Sequence, residues 1–310
     1  MSLRTGKLLM DCFKRSAQWR ELQDEELAKL KKVMKTIMDD IVAVCDKNNL
    51  NYILFYGTAL GAIRHKGYIP WDDDVDLAMP REDYETFLKI AEKELGDKYY
   101  VRAASKGDPI AVPTCHVKLK GTKYVNYGDL VALENEPEYA KCIYVDIFPL
   151  DNASNIHFIR RIDGIISLLI LFFISCVSVK DSVKIMKEKG VQLSKKEKES
   201  LRLKVMLGNI FGIINKVRWY RLYDRFVKKN KNNDSKYVTC YVGDKTIESG
   251  TYLRDKILLT SYAEFEGTNY RVSKDYDYYL KHTYGDWRVI PNKEHQIIHP
   301  VFELDFNDNQ

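Results

Sequence analysis

Four aspartates fall within five positions in Pro70-Trp71-Asp72-Asp73-Asp74-Val75-Asp76-Leu77, a concentration of charge with few structural explanations. Carboxylates at that spacing repel one another, so a fold keeps them together either under heavy solvation or around a cation. An extended backbone turns alternate residues to one face, which would align Asp72, Asp74 and Asp76 and send Asp73 and Val75 the other way. Oxygen ligands of this kind suit Mg²⁺ or Mn²⁺, with positions left for water and phosphate oxygens. An exposed acidic turn would account for Asp72 and Asp73 alone. It does not account for Asp74-Val75-Asp76-Leu77-Ala78-Met79, whose interleaved apolar residues place a strand in a core. A calcium loop is excluded: Leu77 stands where the sharp turn requires glycine, and Asp83 where a bidentate glutamate is needed.

Further candidates lie on either side of this cluster. Asp146, flanked by apolar residues in Tyr144-Val145-Asp146-Ile147-Phe148, is costly to bury without a partner, and either a cation or a structural hydrogen bond near a strand end would supply one. Gly57-Thr58, following the apolar run Tyr52–Tyr56, can offer backbone N–H groups and a hydroxyl to a phosphate at a helix N-terminus. Arg64-His65-Lys66 adds two fixed positive charges and a titratable ring, although plain charge balance is the alternative for Arg64 and Lys66. Acids, a cation and phosphate-binding groups together suit phosphoryl-type transfer, which needs positioning and charge neutralisation more than a covalent intermediate.

The elements that must hold these groups can be read from periodicity. Apolar residues recur at three-four spacing from Leu27 to Cys45, predicting an amphipathic helix over Asp24–Asp46. Strands are expected at Tyr52–Tyr56, Val75–Met79, Tyr99–Ala103, His116–Lys120, Lys123–Asn126 and Ile143–Phe148, with helices from Thr58 to Ile63 and from Arg81 to Leu95. The fold class is therefore α/β (α+β), a mixed sheet flanked by helices. The run Ile165–Val177 is almost wholly apolar, yet at roughly 15 residues it falls short of the roughly 20 that span a bilayer, so it should not cross one alone. Val205–Ile214 leads into Lys216-Val217-Arg218-Trp219-Tyr220-Arg221, the composition of a helix lying in a membrane interface; core or dimer helices are the competing reading. The tail from Tyr262 to Gln310 reads as irregular structure closing over the core. Three regions are expected: a catalytic core at 1–154, a helical insertion at 155–235 and a closing segment at 236–310.

An apolar content of 45% is enough to bury a full core and excludes a disordered chain. Charge is unevenly spread. Residues 180–231 carry sixteen Lys or Arg against five Asp or Glu, a net +11; as the whole chain is +5, the remainder is −6. An anionic surface is an expected neighbour of that segment, and nucleic acid is not an expected partner. Six scattered cysteines without a C-x-x-C pair, and an N-terminus without signal-peptide order, lead to the expectation of reduced thiols in the cytoplasm.

The string Tyr56-Gly57-Thr58-Ala59-Leu60-Gly61-Ala62-Ile63-Arg64-His65-Lys66-Gly67-Tyr68-Ile69-Pro70-Trp71-Asp72-Asp73-Asp74-Val75-Asp76 resembles the signature of the LicD family, a branch of the nucleotidyltransferase fold, to which fukutin-related protein is also similar. Val145-Asp146-Ile147-Phe148-Pro149-Leu150-Asp151 resembles that family's second block, and Tyr284-Gly285-Asp286-Trp287 with His295 a C-terminal one. The resemblance implies transfer of a substituted phosphate, typically phosphocholine from CDP-choline, to a hydroxyl of a glycan or lipid-linked glycan acceptor such as a lipopolysaccharide or teichoic-acid precursor, with release of CMP. It casts Asp72, Asp74, Asp76 and Asp146 as catalytic, Asp74, Asp76 and Asp146 as ligands of Mg²⁺ or Mn²⁺, and Gly57, Thr58, Arg64, His65, Lys66 and Trp71 as donor-binding. Trp71, Tyr284 and Trp287 could receive a choline cation, with plain packing as the alternative. Residence at the inner membrane surface and self-association are compatible with the second half of the chain. Nucleotidyl transfer to a small acceptor, transfer of ribitol or glycerol phosphate, and a non-catalytic glycan-assembly subunit stay open.

Overall fold

A computed structural model of the protein describes residues 8, 12, 19–106, 113–126, 138–188, 191–242, 246–296, 298–299 and 301–307. The architecture is α+β. Helix α1 (Asp24–Lys47) opens it with three acids in its first turn, where the helix dipole favours them, and buries Leu30, Met34, Ile37, Ile41 and Cys45 on one face. Strand β1 (Ile53–Leu54) is shorter than its apolar run suggests, because the chain turns at Tyr56 into helix α2 (Tyr56–His65). Strand β2 (Asp76–Pro80) is stopped by helix α3 (Arg81–Leu95). Strands β3 (Tyr99–Ala103), β4 (Cys115–Leu119), β5 (Lys123–Asn126) and β6 (Tyr144–Ala153) follow.

These build a sheet of order β1-β2-β6-β4-β3, in which β2 and β6 run parallel and the other pairs antiparallel. The centre is β2 and β6; Leu77, Ala78 and Met79 are fully buried, as expected of a strand covered on both faces. Helices α1 and α3 pack against β6. The far end of β6 passes on to pair with β7 (Tyr237–Thr239), which pairs with β8 (Thr251–Leu253).

Between β6 and β7 come three helices, α4 (His157–Glu188), α5 (Lys195–Phe211) and α6 (Lys216–Val227). Ser194 and Glu197 form a capping box at the start of α5, and the Asn215 side chain caps α6. Ile170, Ile174 and Val177 of α4 pack on Trp219, Tyr220 and Tyr223 of α6, and Gly208 of α5 lies against the Cys176 carbonyl of α4. Ile165–Val177 is not the short helix expected from its apolar length. The apolar run is the middle of a helix of 32 residues, which by length and composition alone could cross a membrane.

The tail is also more ordered than its composition suggests. A short helix α7 (Arg254–Ile257) precedes a hairpin of β9 (Thr260–Phe265) and β10 (Thr268–Ser273), then helix α8 (Tyr276–Tyr284) and strand β11 (Val301–Asp305). Gly267, at φ 75°, makes the hairpin turn. Strand β11 pairs with β5, and Val301 also bridges to Arg20, so both ends of the described chain meet beside the sheet.

Candidate active site

The acids gather where β2, β6 and the start of α2 converge. Asp76 is the first residue of β2 and Asp146 the third of β6, and the two are direct register partners in the parallel pair. Partners in register share a face, so these carboxylates, 70 positions apart in sequence, point together. Strand geometry does not extend back to Asp72; residues 72–75 are irregular, so the expected alternation fails there. Tertiary contacts aim those side chains instead. The Asp72 backbone N–H donates to the Ile69 carbonyl at 3.0 Å, closing a turn.

Gly57 explains how close Asp72 can come to α2. A β-carbon on residue 57 would stand 2.7 Å from Asp72 Oδ2, so only glycine admits the carboxylate to the first turn of the helix, where the dipole favours negative charge. Gly61 does the same for the backbone, since a β-carbon there would lie 2.4 Å from the Gly67 carbonyl. The Thr58 hydroxyl accepts the backbone N–H of Asp76 at 2.8 Å. Gly57 and Thr58 therefore position acids. Tyr56 begins α2 at φ 36°, and its N–H, outside the helical ladder, is donated to the Tyr279 hydroxyl at 2.7 Å, tying α8 to the site.

Burial raises the pKa of Asp72 well above the carboxylate range, helped by Asp74 and Asp73. Burial likewise raises Asp76, with Asp74, Asp146 and Asp72 adding repulsion. Asp74 is pushed to about 6, mainly by burial, with His299 opposing and Asp73 and Asp146 reinforcing. The Tyr284 phenol, above its ordinary range through burial, lies in the field of Asp76, Asp72 and Asp74. Such crowding disfavours full ionisation, and a divalent cation among these oxygen donors is what would offset it.

Four further residues at the site carried no sequence signal. His116, the antiparallel partner of Asp146, places Nε2 2.7 Å from Asp146 Oδ1, and Thr114 donates its hydroxyl to the same oxygen at 3.0 Å. Among the described residues both contacts fall on Oδ1, which leaves Oδ2 for a cation or a proton. Asp73 accepts the Tyr124 hydroxyl on Oδ2 at 2.9 Å and the His299 Nδ1–H on Oδ1 at 2.7 Å. Burial lowers the His299 pKa, but the bond to Asp73 and the nearby acids outweigh it and carry it to about 9. Ligand atoms of Asp73, Asp74 and His299 lie within 4.8 Å of one another. A protonated His299 already satisfies Asp73, so we read this trio as a buttress under Asp74. The C-terminal histidine at the site is thus His299, whereas His295 is exposed; nothing in the spacing distinguished them.

The basic triplet lies differently. Arg64 donates NH1 to the Trp287 carbonyl at 2.8 Å and Nε to His65 Nε2 at 2.9 Å. Lys66, left-handed at φ 57° and exposed, faces Glu264 at 3.7 Å. Arg64 therefore secures the segment after α8, and Lys66 points to the β9–β10 hairpin. Trp71 packs partly buried against the core. Lys31 of α1, which the sequence did not single out, donates to the carbonyls of Ile69 and Pro70 and holds the turn that leads into the acids.

Residues 49–161, from just before β1 to the first turn of α4, match the family described as LicD/FKTN/FKRP, nucleotidyltransferase domain. The span contains all four clustered aspartates, Thr114, His116 and Asp146, but not His299. The chain is 28% identical over 281 residues to the lipopolysaccharide cholinephosphotransferase LicD of Haemophilus influenzae, covering 87% of this chain and 94% of that protein. An uncharacterised protein of Rickettsia prowazekii is 40% identical over 132 residues, 39% of this chain and 49% of its own length. One of Rickettsia typhi is 44% identical over 62 residues, 19% and 20% of the two chains. The matched domain encloses the acid cluster, and the similarity to the Haemophilus protein continues through both flanks, so residues 49–161 resemble the LicD nucleotidyltransferase domain and the rest of the chain resembles that relative.

Proposed function

We propose that this protein transfers phosphocholine from CDP-choline to a hydroxyl of a cell-surface glycan precursor, a lipopolysaccharide or teichoic-acid intermediate, on the cytoplasmic side. The observation that carries this reading is the register pairing of Asp76 with Asp146 beside Asp72 and Asp74, which concentrates buried carboxylates whose charge calls for a divalent cation. Asp74, Asp76 and Asp146 would hold Mg²⁺ or Mn²⁺. Such a cation supplies neutralisation of the donor diphosphate and of charge developing on the leaving group.

The chain's own residues do the rest. Gly57 and Thr58 keep Asp72 and Asp76 in place, Lys31 secures the turn that leads into the acids, and Arg64 secures the segment after α8. The acceptor oxygen attacks the phosphorus that bears choline, the P–O bond to CMP breaks, and CMP leaves. The hydroxyl proton would pass to Asp72, once a bound cation has offset the neighbouring acids and left that carboxylate ionised. Tyr284, exposed at the end of α8 and in the field of Asp76, Asp72 and Asp74, would receive the quaternary ammonium.

Incubation with Mg²⁺ or Mn²⁺, a glycan acceptor and a panel of CDP-linked donors tests this. CMP should appear with CDP-choline, and a label on the choline phosphate should end in the acceptor. Label from the cytidine half in the product would make the enzyme a nucleotidyltransferase, and a better ribitol or glycerol donor would change the transferred group. No CMP with any donor and either metal would sink the reading.

A further inference from the structure

Helix α4 leaves one stripe of large apolar side chains in solvent. Phe158, Ile162, Ile165 and Leu169 are spaced four, three and four residues apart, so they share one face, and they are 71%, 38%, 47% and 48% exposed. The opposite face is buried against α5 and α6. A second apolar point stands at the turn between α5 and α6, where Ile213 is 86% exposed. Exposed apolar patches of this kind mark a surface that something covers.

Charge identifies the cover. His157, Arg160 and Arg161 interleave with the start of the stripe, and with Tyr237, Tyr278 and His282 they line a cavity of about 230 Å³. Arg160 is held there by the Ser154 carbonyl and stacks at 3.8 Å on the Tyr237 ring. Glu248 lines the cavity as the opposing charge, 3.8 Å from Arg161 with both side chains exposed. Arg218, Arg221 and Arg225 are exposed on α6. A region carrying +11 over residues 180–231 would repel a second copy of itself and attract an anionic surface.

Spanning is a poor fit. Helices α5 and α6 lie alongside α4, with Lys204 donating to Ser175 at 2.7 Å and Lys229 paired with Asp163 at 2.5 Å. A bilayer crossing by α4 would carry these and the exposed lysines of α5 into hydrocarbon.

We infer that the α4 stripe and the α5–α6 turn seat shallowly in an anionic phospholipid bilayer, with the basic residues around them meeting its headgroup phosphates. The inference does not rest on the transferase reading, because a chain without that activity would dock in the same way.

The test is co-sedimentation of the purified full chain with vesicles of phosphatidylcholine alone or with added phosphatidylglycerol. Wild type should be retained by the anionic vesicles and not by the neutral ones. Most should be released as salt rises above about 0.1 M, where the screening length is already roughly 10 Å. The double variant Ile162→Ser, Leu169→Ser should lose retention by about tenfold while its Tm in the absence of lipid stays at the wild-type value. Arg218→Glu with Arg221→Glu, away from the stripe, should lose it too. Absence of retention, equal retention on neutral vesicles, or variants retained like wild type would overturn the inference. So would a wild-type dimer in light scattering that the Ile162→Ser, Leu169→Ser variant turns into a monomer, since the cover would then be a second copy.

Discussion

At the scale of single residues, the site is a balance between repulsion held in the fold and the cation proposed to relieve it. Asp76→Asn removes one buried charge without changing volume. We expect it to lower transfer by at least about 100-fold, the upper end of what loss of a mere outer partner does to metal affinity, while raising the Tm of the metal-free protein. Added Mg²⁺ should then raise the Tm of wild type but not of the variant, which thermal scanning reads directly. The same cluster titrates with a definite sign. Asp74 has a folded pKa raised to about 6 from 3.8, so its contribution to metal-free stability is greatest below 3.8 and is lost as pH rises through about 6. His299 is raised from 6.5 to about 9, so the His299–Asp73 pair stabilises fully below 6.5 and loses that stabilisation as pH rises towards 9. The urea midpoint of wild type should therefore fall between those two pH values, and His299→Gln should flatten that fall. An unchanged slope in His299→Gln would remove the ion pair from the account.

Among elements, the link between the sheet and the inserted helices is a buried ion network. Arg81 of α3 donates Nε and NH2 to both oxygens of Asp151 on β6, at 2.7 and 2.9 Å, and NH1 to Asp224 of α6 at 3.0 Å. Replacing Arg81 by Met should cost about 3–5 kcal/mol in urea unfolding, because Asp151 stays buried without its partner. Replacing Arg81 and Asp151 together by Met and Leu should recover part of that loss, since an apolar pair avoids desolvating charge. A double variant no more stable than the single one would show that Asp151 has another anchor. Helices α1 and α3 were legible within a residue or so, because their apolar spacing and dipole-matched acids are local signals. Strand β1 and the extent of β6 were not, since what ends or prolongs a strand is the partner beside it: the Tyr279 hydroxyl waiting for the Tyr56 N–H, and β7 extending β6 to Ala153.

Across the whole molecule, the two ends of the described chain close on the site. Strand β11 pairs with β5, Val301 is buried and bridges Arg20, and His299 reaches Asp73 from just before β11. Truncation after Gln296 should therefore lower Tm by more than His299→Gln does, with both losing activity; equal Tm values would mean that β11 contributes nothing to closure. What the sequence alone determined is a set of candidate residues: clustered aspartates, a glycine and threonine after an apolar run, and an isolated acid in a second apolar strand. Those are contiguous patterns whose electrostatic cost is visible without coordinates. Only the tertiary structure decided which partners meet them. The β2–β6 register sets Asp76 against Asp146. The fold of the tail brings His299 rather than His295, and the space at Gly57 is filled by Asp72. It also decided that the apolar run of α4 has one face buried and one exposed. Each of these depends on residues far apart in sequence being brought into contact, and side-chain spacing along a chain does not encode that.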